Sequence, residues 1–448
     1  MARLVSLPCA RSDTESPIRI YCDPSDTPCV MHDLRSRTVI TYSDPLRAPA
    51  SNTMDYSFSM LYFEATRRCN LQCPMCMTSS NDPAVVRESF RRELDFDQIR
   101  DRVLIPAKNL QIKAVGWSGG EFLLRDDAYD LLRLTTDLGF RCNICTNCEV
   151  LDRETLIRIR DATDGNGTIA VGLNSLDPDN QETRDAEVEK TLDVIRMCEE
   201  LGLDRHVIVT LGKYNTETFE KTIQYLVDRK ISYNRSPLVP RGSGCAGWEE
   251  QRFTREDLKD KFHPTLRRHP NGYVSYTPYF LSPELHARYS GGAANNTVPQ
   301  NPPIGCWCGN WLTLNAEGDV SVCPVLLDAL SAGNVHDKPL DQIVRDSELF
   351  ATITDRNKLK GRCGRCRYKM TCGGCRAMAY YYTGDYMGED PTCFFEPVDE
   401  STVCEHEEET NRIFRQYLLV AAYSGFYELP GSGKKIGKMA RARVGSRQ

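Results

Sequence analysis

The sequence lacks any hydrophobic run long enough to cross a membrane. A spanning helix needs about 20 predominantly apolar residues, and the nearest candidate, Tyr417–Phe426, is too short. The N-terminal stretch MARLVSLPCARSDTES carries too short an apolar run for a secretory signal. We therefore expect a soluble, cytoplasmic protein that does not bind membranes.

The sequence also lacks an excess of positive charge. It has 56 Lys and Arg residues against 62 Asp and Glu residues, which gives a formal net charge of −6. No overall positive field is present to attract nucleic acid, so a nucleic-acid partner is not expected. The 448 residues suggest roughly two to four domains.

Cysteine is the residue that the sequence has in excess, with 20 in the chain. This density is still below that of small disulfide scaffolds. In a reducing compartment thiols stay free. We therefore expect metal ligands or catalytic groups among them, and their spacing should decide which.

The composition divides the chain into five segments. They are an N-terminal extension (1–55), an alternating strand–helix region (56–245), a Pro- and Gly-rich bridge (246–304), a small cysteine-rich module (305–405), and a closing helix with a basic tail (406–448). Within the extension, only Thr38–Tyr42 reads as a strand. The cysteine-rich module has low apolar content for its size, which indicates that it depends on metal.

Six predicted strands alternate with five predicted helices in residues 56–245. The strands are Met60–Glu64, Ile112–Trp117, Phe140–Cys145, Thr168–Asn174, His206–Leu211 and Ile231–Ser236. The helices are Asp95–Val103, Asp127–Leu138, Arg153–Ala162, Glu187–Leu201 and Thr216–Arg229, the last capped by Asn215 or Thr216. This alternation implies a parallel sheet with right-handed crossovers. The region is short for a full eight-fold barrel of about 250 residues. We therefore predict an α/β fold, with a partial (β/α)6 TIM-like barrel before the small cysteine-rich domain.

A loop directly after the first predicted barrel strand has the spacing Cys-x3-Cys-x2-Cys, at Cys69, Cys73 and Cys76. Three thiolates on one loop cannot complete a four-sulfur zinc site alone. They can bind three irons of a [4Fe–4S] cube and leave the fourth iron open. The loop also follows a strand, at the face where barrel enzymes place their chemistry. A three-cysteine zinc site with a distant fourth ligand is the alternative.

With this signature after the first strand, the chain resembles the radical S-adenosylmethionine (SAM) enzymes. The resemblance implies that SAM chelates the open iron and that one electron from the cluster cleaves SAM to methionine and a 5′-deoxyadenosyl radical. That radical then takes a hydrogen atom from the substrate. The resemblance also implies that Cys69, Cys73 and Cys76 are catalytic, and that a flavodoxin- or ferredoxin-type protein donates the electron.

Later strand ends are similar to the motifs with which this family binds SAM. The sequence Gly119-Gly120-Glu121 after the second predicted strand resembles the motif that holds the SAM amino group, although Phe122 replaces the frequent proline. Asn147 at the end of the third predicted strand and Ser175 at the end of the fourth also resemble positions of the family that contact SAM, as does Arg184 after the fourth strand. The resemblance therefore assigns to cofactor binding Gly119, Gly120, Glu121, Asn147, Ser175 and Arg184.

Four of the cysteines that fall outside these motifs need a separate interpretation. Cys142, Cys145 and Cys148 repeat a cluster-like spacing, but Cys142 and Cys145 lie on a predicted strand and point to opposite faces. We interpret them as packing residues, a common role of free cysteine. Cys245, near the predicted barrel mouth, is a candidate hydrogen-atom donor, with a plain loop cysteine as the alternative.

The cysteine-rich module is similar to the SPASM extension of radical SAM enzymes, which binds two auxiliary iron–sulfur clusters. Its pattern is Cys306-x-Cys308-x9-Gly318-x4-Cys323, then Cys363-x2-Cys366-x5-Cys372-x2-Cys375-x17-Cys393. The resemblance implies auxiliary cluster I on Cys306, Cys308, Cys323 and Cys375, and cluster II on Cys363, Cys366, Cys372 and Cys393. Cys306 and Cys308 are closer in sequence than the family pattern has them, so it is open whether both of them are cluster ligands. Structural zinc ribbons share the paired Cys-x2-Cys spacing and are the alternative.

The resemblance leaves two substrate classes open. SPASM enzymes oxidise, cross-link or epimerise peptides during natural-product maturation, and others modify small molecules such as sugars, aminoglycosides and tetrapyrroles. Peptide maturases often carry an N-terminal recognition domain, for which the extension here is short. We therefore expect either a peptide or a small-molecule substrate. A non-catalytic iron–sulfur or zinc-binding protein is the alternative from a different class.

Overall fold

The computed structural model describes most of the chain between residues 60 and 396. The described residues are 18–21, 29–33, 38–42, 58, 60–110, 112–177, 183–268, 273–274, 306, 308, 311–366 and 372–396. The predicted closing helix and the basic tail lie outside them. Within the described ranges, every helix is too short or too polar to span a membrane.

The N-terminal extension contains a three-stranded antiparallel sheet. Strand β2 (Cys29–Asp33) pairs with β1 (Ile18–Tyr21) on one side and with β3 (Thr38–Tyr42) on the other. Strand β3 is the predicted strand of this segment and is confirmed. The prediction missed β1 and β2, which are short and border on Pro- and Asp-rich sequence typical of turns.

Six parallel strands form the barrel sheet in the order of the sequence. They are β4 (Met60–Glu64), β5 (Ala114–Ser118), β6 (Arg141–Thr146), β7 (Thr168–Gly172), β8 (Asp204–Leu211) and β9 (Ser232–Pro237). Each strand pairs with the next along the chain. The predicted partial (β/α)6 barrel is therefore confirmed.

Helices connect these strands and bury their apolar faces against the sheet. They are α1 (Pro83–Phe90), α2 (Phe96–Gln98), α3 (Ile105–Asn109), α4 (Ala128–Asp137), α5 (Arg153–Ala162), α6 (Val188–Leu201) and α7 (Phe219–Asp228), with a π-helical stretch, Ile99–Leu104, joining α2 to α3. The predicted start of α7 was wrong, because its N-cap is Thr218. Asn215 lies in a preceding 3-10 turn, where its side chain donates to the carbonyls of Asn174 (3.0 Å) and Thr210 (2.9 Å).

The described part of the bridge contains short elements. They are a 3-10 helix (Gly242–Gly247), α8 (Trp248–Gln251), a π-helical stretch (Asp257–Phe262), α9 (His263–Arg268) and β10 (Tyr273–Val274). Strand β10 runs parallel to β9 and extends the sheet at that edge. The bridge therefore continues the barrel architecture before it leaves the described residues.

The cysteine-rich module joins the same sheet at its opposite edge. Strand β11 (Trp311–Leu314) pairs in parallel with β4, and β12 (Asp319–Ser321) and β13 (Gly333–Asn334) follow in antiparallel order. The module's helices are α10 (Leu340–Asp346), α11 (Glu348–Thr354), α12 (Gly361–Arg365) and α13 (Arg376–Thr383). One ten-stranded sheet therefore carries both cysteine-rich regions.

A buried ion-pair network joins the barrel to the module. The Arg241 guanidinium binds both carboxylate oxygens of Glu64, at 2.6 and 2.7 Å, and donates to Asp328 at 2.8 Å. Arg67, two residues before the first cysteine, donates to Glu317 and to the Thr78 carbonyl. The network therefore links the first barrel strand and the cysteine loop to the module.

Candidate active site

The first cysteine loop follows β4 and is fixed by hydrogen bonds to its sulfurs. The Sγ atoms of Cys69, Cys73 and Cys76 accept from the backbone N–H groups of Leu71 (3.5 Å), Asp185 (3.3 Å) and Ser80 (3.3 Å), respectively. Such donors stabilise thiolates, the form that binds iron. All three cysteines line one large cavity. This donor set and placement fit a cluster bound at the C-terminal ends of the strands.

Two glycines let the end of β5 contact this loop. A Cβ on Gly119 would lie 2.2 Å from the Thr66 carbonyl oxygen, and one on Gly120 would lie 2.2 Å from that of Arg68. Gly119 also has a φ of +131°, which favours glycine. The Gly120 N–H donates to the Thr66 carbonyl at 2.7 Å. The glycine pair therefore holds the segment that leads into Cys69.

Glu121 lies behind the cavity wall rather than in it. Its side chain is fully buried and accepts from Asn147 N–H (2.8 Å), the Thr146 hydroxyl (3.1 Å) and Leu123 N–H (3.3 Å). Burial raises the pKa of Glu121 to about 7 despite these bonds. Glu121 thus shapes the end of β6, and the structure does not bring its carboxylate to the cavity surface as the sequence had suggested.

Asn147 lies between Glu121 and the cysteine loop. Its side-chain amide donates to Asn70 Oδ1 at 2.7 Å and approaches Cys69 Sγ at 3.6 Å, and the residue lines the cavity. This contact places the end of β6 against the first cysteine.

Two predicted residues near the end of β7 take different positions. Arg184 enters the cavity above Gly172, where a Cβ would lie 2.3 Å from its Nη1 atom. Ser175 is fully buried outside the cavity, where its hydroxyl donates to Thr218 at 3.1 Å. Asn174, which precedes Ser175, lines the cavity instead. The strand end therefore turns Ser175 toward the helical layer.

Four thiols of the cysteine-rich module form one hydrogen-bonded group. The thiols of Cys308 and Cys375 bond to Cys306, and that of Cys323 bonds to Cys308. These bonds hold the pKa of Cys306 well below its usual range. Three of the four, Cys306, Cys323 and Cys375, line the same cavity as the first cysteine loop. The cavity, of about 340 Å³, therefore touches both cysteine sets.

A second group surrounds α12 and the Cys-Gly-Gly-Cys turn. Cys363 Sγ accepts from Asp390 N–H at 3.4 Å, and Cys372 Sγ accepts from Gly374 N–H at 3.4 Å. Burial raises the pKa of Cys393, and the charges of Asp390, Cys372 and Cys363 raise it further, so Cys393 lies beside them. Cys366 is half-buried at the end of α12.

Two buried arginines lie between these thiol groups. Arg356 donates to the carbonyls of Cys372 and Cys306, and Arg376 donates to Cys363 Sγ at 3.6 Å. A Cβ on Gly373 would lie 1.2 Å from Arg356 Nη1, so the turn has room for the guanidinium only because it is glycine. A buried cation needs a nearby negative charge. Anionic thiolate clusters on both sides fit that requirement.

The remaining cysteines take other positions. Cys142 packs in the apolar core, whereas Cys145, on the opposite face of β6, lines the cavity. Cys148 is buried, and Cys245 is exposed, with its thiol donating to the Pro240 carbonyl. The structure therefore does not bring Cys245 to the cavity. Within the described residues, no three His, Cys, Asp or Glu side chains are grouped as ligands of a single metal ion.

The barrel lumen contributes residues that sequence reasoning did not identify. Tyr62 shares a 2.6 Å hydrogen bond with Ser118, and its ring stacks on Trp311 at 6.2 Å between centroids. Asn143, His206 and Asn234 line the deeper part of the cavity. The sequence does indicate these residues, because polar residues at alternate positions of an otherwise apolar strand face the lumen when the sheet closes.

Comparison with known proteins agrees with this geometry. Residues 63–226 match the family model of the radical SAM superfamily, and residues 306–367 match that of the SPASM iron-sulfur cluster-binding domain. The chain is 28% identical to an AdoMet-dependent heme synthase of Methanosarcina barkeri, over 75% of this chain and 97% of that protein. It is 26% identical to a PqqA peptide cyclase of Bradyrhizobium diazoefficiens, over 79% and 92%.

Solved structures show the same fold at low sequence identity. The structure of Streptococcus suis SuiB bound to the precursor peptide SuiA has a TM-score of 0.57 and 17% identity, covering 76% of each chain. Native anSMEcpe with bound AdoMet and Cp18Cys peptide has a TM-score of 0.52 and 14% identity, covering 81% of this chain and 96% of that one.

Fold and comparisons together define an α/β-barrel enzyme with iron–sulfur clusters. The chain belongs to the radical SAM superfamily, in its SPASM-domain subgroup. Its cofactors are a [4Fe–4S] cluster, SAM and auxiliary iron–sulfur clusters.

Proposed function

We propose that this enzyme abstracts a hydrogen atom from an amino-acid side chain of a peptide. The observation that supports a peptide is the size of the cavity. Pockets for small molecules typically have about 300–1,000 Å³, and this cavity of about 340 Å³ has to accept SAM as well as the substrate. The space that remains suits one side chain inserted from outside better than a whole macrocycle.

The charge of the cavity supports the same choice. Among the described lining residues, Arg184 is the one Arg or Lys side chain. A tetrapyrrole carries several carboxylates, and each one that is buried needs a cationic or hydrogen-bonding partner. A single arginine, which we assign to SAM, leaves such carboxylates without one.

We assign the site residues by position. Cys69, Cys73 and Cys76 hold the catalytic cluster. Gly119, Gly120, Asn147 and Arg184 form the wall against which SAM is oriented, with Arg184 paired to its carboxylate. Glu121 acts from behind this wall by fixing the end of β6. Ser175 supports the wall from the side of the helices.

When bound, the cluster and SAM supply a 5′-deoxyadenosyl radical to the substrate. Leu71, Met75 and Met77 give the lining around the cysteine loop apolar surface, which limits side reactions of a radical with groups from solvent. A flavodoxin- or ferredoxin-type donor supplies the electron.

We further assign Cys306, Cys308, Cys323 and Cys375 to auxiliary cluster I, and Cys363, Cys366, Cys372 and Cys393 to auxiliary cluster II. Cys306, Cys323 and Cys375 of the first set line the cavity, so a cluster held by them would border the substrate and could accept an electron from it. This position supports net oxidation or cross-linking over a redox-neutral epimerisation.

Tetrapyrrole modification is the second candidate. The observation in its favour is the similarity to AdoMet-dependent heme synthases, which extends over 97% of one of them.

Isotope transfer tests the proposal. The anaerobically reconstituted enzyme is incubated with SAM, dithionite and either a fully deuterated peptide digest or deuterated iron-coproporphyrin III. We expect deuterium in 5′-deoxyadenosine from the digest alone. Transfer from the porphyrin alone would instead establish the second candidate. A variant with Cys69, Cys73 and Cys76 replaced by alanine should form no 5′-deoxyadenosine, and cleavage of SAM by that variant would refute the assignment of the cluster.

A further inference from the structure

The deep end of the barrel cavity carries polar side chains that no role assigned above uses. Asn143, His206 and Asn234 each stand at the third position of their strands, toward the strand N-termini, and all three line the cavity. At about 3.3 Å per residue, Asn143 lies roughly 10 Å below Thr146, where β6 meets the cysteine region. These residues therefore face whatever enters beyond SAM.

Asn143 has a buried acceptor without a partner. The residue is 5% exposed, and its Nδ2 atom donates to Met60 Sδ at 3.4 Å. Its Oδ1 atom is buried and accepts no hydrogen bond from any described residue. Leaving such a group unsatisfied costs about 1–3 kcal/mol. An unpaired acceptor at the end of a cavity is therefore an attachment point for a ligand that donates a hydrogen bond.

The proton positions around His206 give the cavity a second acceptor. The Ser232 hydroxyl donates to the Arg205 carbonyl at 2.9 Å, so it accepts from His206 Nδ1–H at 3.0 Å. Burial lowers the pKa of His206 to about 4, and a neutral ring protonated on Nδ1 makes Nε2 an acceptor. Nε2 lies 3.1 Å from Asn234 Oδ1. Since two acceptors repel, we assign the Asn234 amide with its N–H toward Nε2 and its oxygen toward the cavity.

A glycine keeps space beside Asn143. Gly116 pairs with Asn143 across β5 and β6 and also lines the cavity. A Cβ at Gly116 would lie 3.2 Å from Met60 Sδ and 3.6 Å from the Tyr62 ring. A larger residue here would close the approach to Asn143.

The charges of the cavity restrict what it binds. No Asp or Glu side chain is among the described lining residues. A cation at the deep end would therefore be buried without a counter-charge. A carboxylate would face the oxygen of Asn143 and would be repelled. A neutral group that donates hydrogen bonds meets neither penalty.

We propose that the deep end of the barrel is a specificity pocket for a neutral, hydrogen-bond-donating side chain, a carboxamide or a hydroxyl, that donates to Asn143 Oδ1. This inference rests on the proposed peptide substrate and names the class of side chain that is read. Asn234 supplies the second acceptor, and Gly116 keeps the path open.

A peptide panel tests the pocket. Short alanine-based peptides each carry one deuterated guest residue, Gln, Glu, Lys, Leu or Thr, and deuterium in 5′-deoxyadenosine is measured with the reconstituted holoenzyme. We expect transfer from Gln or Thr and little from Glu or Lys. Transfer from Gln alone identifies a carboxamide pocket and transfer from Thr alone a hydroxyl pocket, whereas transfer from Glu or Lys at the level of Gln would overturn the proposal.

Two variants of Asn143 sharpen the test. In Asn143→Leu, deuterium transfer from the Gln peptide should fall roughly 5- to 100-fold relative to transfer from the Leu peptide, because a hydrogen bond to a buried group is lost. Asn143→Asp places a carboxylate in the pocket and should raise transfer from Lys. Asn166→Asp, the same change outside the cavity lining, should keep the original order. Iron content and SAM binding, measured on each variant, show whether it folds.

The outcomes separate this inference from the proposed function. If no peptide transfers deuterium, the peptide proposal itself fails. If peptides transfer deuterium but their order is the same in Asn143→Leu and Asn143→Asp as in the unmodified enzyme, the specificity pocket is wrong and the proposed function stands.

Discussion

Gly120 packs directly against the cysteine loop, because its missing side chain lets the Arg68 carbonyl approach. In Gly120→Ala the new Cβ would lie 2.2 Å from that oxygen, so the loop that carries Cys69 has to move. We expect a loss of about four irons per chain, the content of one cube, and no 5′-deoxyadenosine. Iron analysis after reconstitution measures this.

Gly247 provides the matched control for that substitution. A Cβ at Gly247 has its nearest neighbour at 3.9 Å, in the Gln251 side chain. Gly247→Ala should therefore keep its full iron content. Equal iron content in both alanine variants would show that the close contact at Gly120 does not position the cluster loop.

His206 makes a second prediction at the residue scale. Its pKa is about 4 in the folded protein and near 6.5 in an unfolded chain. The unfolded state therefore binds the proton first, and stability that is present above pH 6.5 is lost as the pH falls toward 4. The slope approaches about 1.4 kcal/mol per pH unit within this window. His206→Gln cannot take up that proton, so its melting temperature should fall less between pH 7 and pH 5.

An exposed histidine controls for general effects of acid. His336 lies at the surface, near the Arg92 carbonyl, and His336→Gln should follow the unmodified protein across the same pH range. Melting curves of His206→Gln that run parallel to those of the unmodified protein would contradict the role given to His206.

At the residue scale, sequence motifs pointed to groups whose chemistry depends on residue type. The three cysteines of the first loop and the pair Gly119 and Gly120 stand out in the sequence, and the structure places all of them on the cavity wall. Glu121 and Ser175 show the limit, since a residue type does not say which way a strand end turns its side chain. Asn143 could not be found either, because a single asparagine on a strand becomes informative only when the sheet closes around it.

At the scale of elements, Cys375 and Cys145 test which of the cysteines on the cavity wall bind a cluster. Both cysteines line the cavity, but only Cys375 belongs to the hydrogen-bonded thiol group with Cys306. Cys375→Ser should lower the iron content by up to about four atoms per chain, while Cys145→Ser should leave it unchanged. Iron analysis and the visible absorbance of the reconstituted proteins measure this, and a loss of iron in Cys145→Ser would place a ligand on β6.

The strands of the barrel could be placed within two residues from hydrophobic pattern alone, because each is bounded by turn residues and followed by an amphipathic helix. The pairing of β11 with β4 could not be placed. These strands are separated by about 250 residues of sequence, and nothing in the local pattern of β11 specifies a parallel partner. The sequence pattern also did not predict β1 and β2 as strands, because their sequences resemble loops.

At the scale of the whole molecule, the two cysteine sets have to stay in a fixed relation for the cavity between them to exist. The continuous sheet supplies one restraint, and the bonds from Arg241 of the barrel to Asp328 of the module supply another. A pair with Glu64 holds Arg241 in place, and the side chains of Arg241 and Glu64 are nearly inaccessible, at 1% and 2% exposure. Pro324, whose carbonyl accepts from Arg241 at 3.0 Å, also lines the cavity. The network therefore holds a cavity-forming loop of the module against the barrel.

A double-mutant cycle tests this restraint. Arg241→Met should destabilise the protein by about 3–5 kcal/mol, because the Glu64 charge stays buried without its partner. Adding Glu64→Gln removes that charge, so the double variant should melt well above Arg241→Met rather than below it. Arg133→Met, which breaks an exposed pair with Asp164, should cost less than about 1 kcal/mol. Glu64→Gln alone completes the cycle as the fourth variant, and melting temperatures of the holo-proteins measure all four. Additive losses in the double variant would mean that Glu64 does not fix Arg241, the residue that bonds to the module.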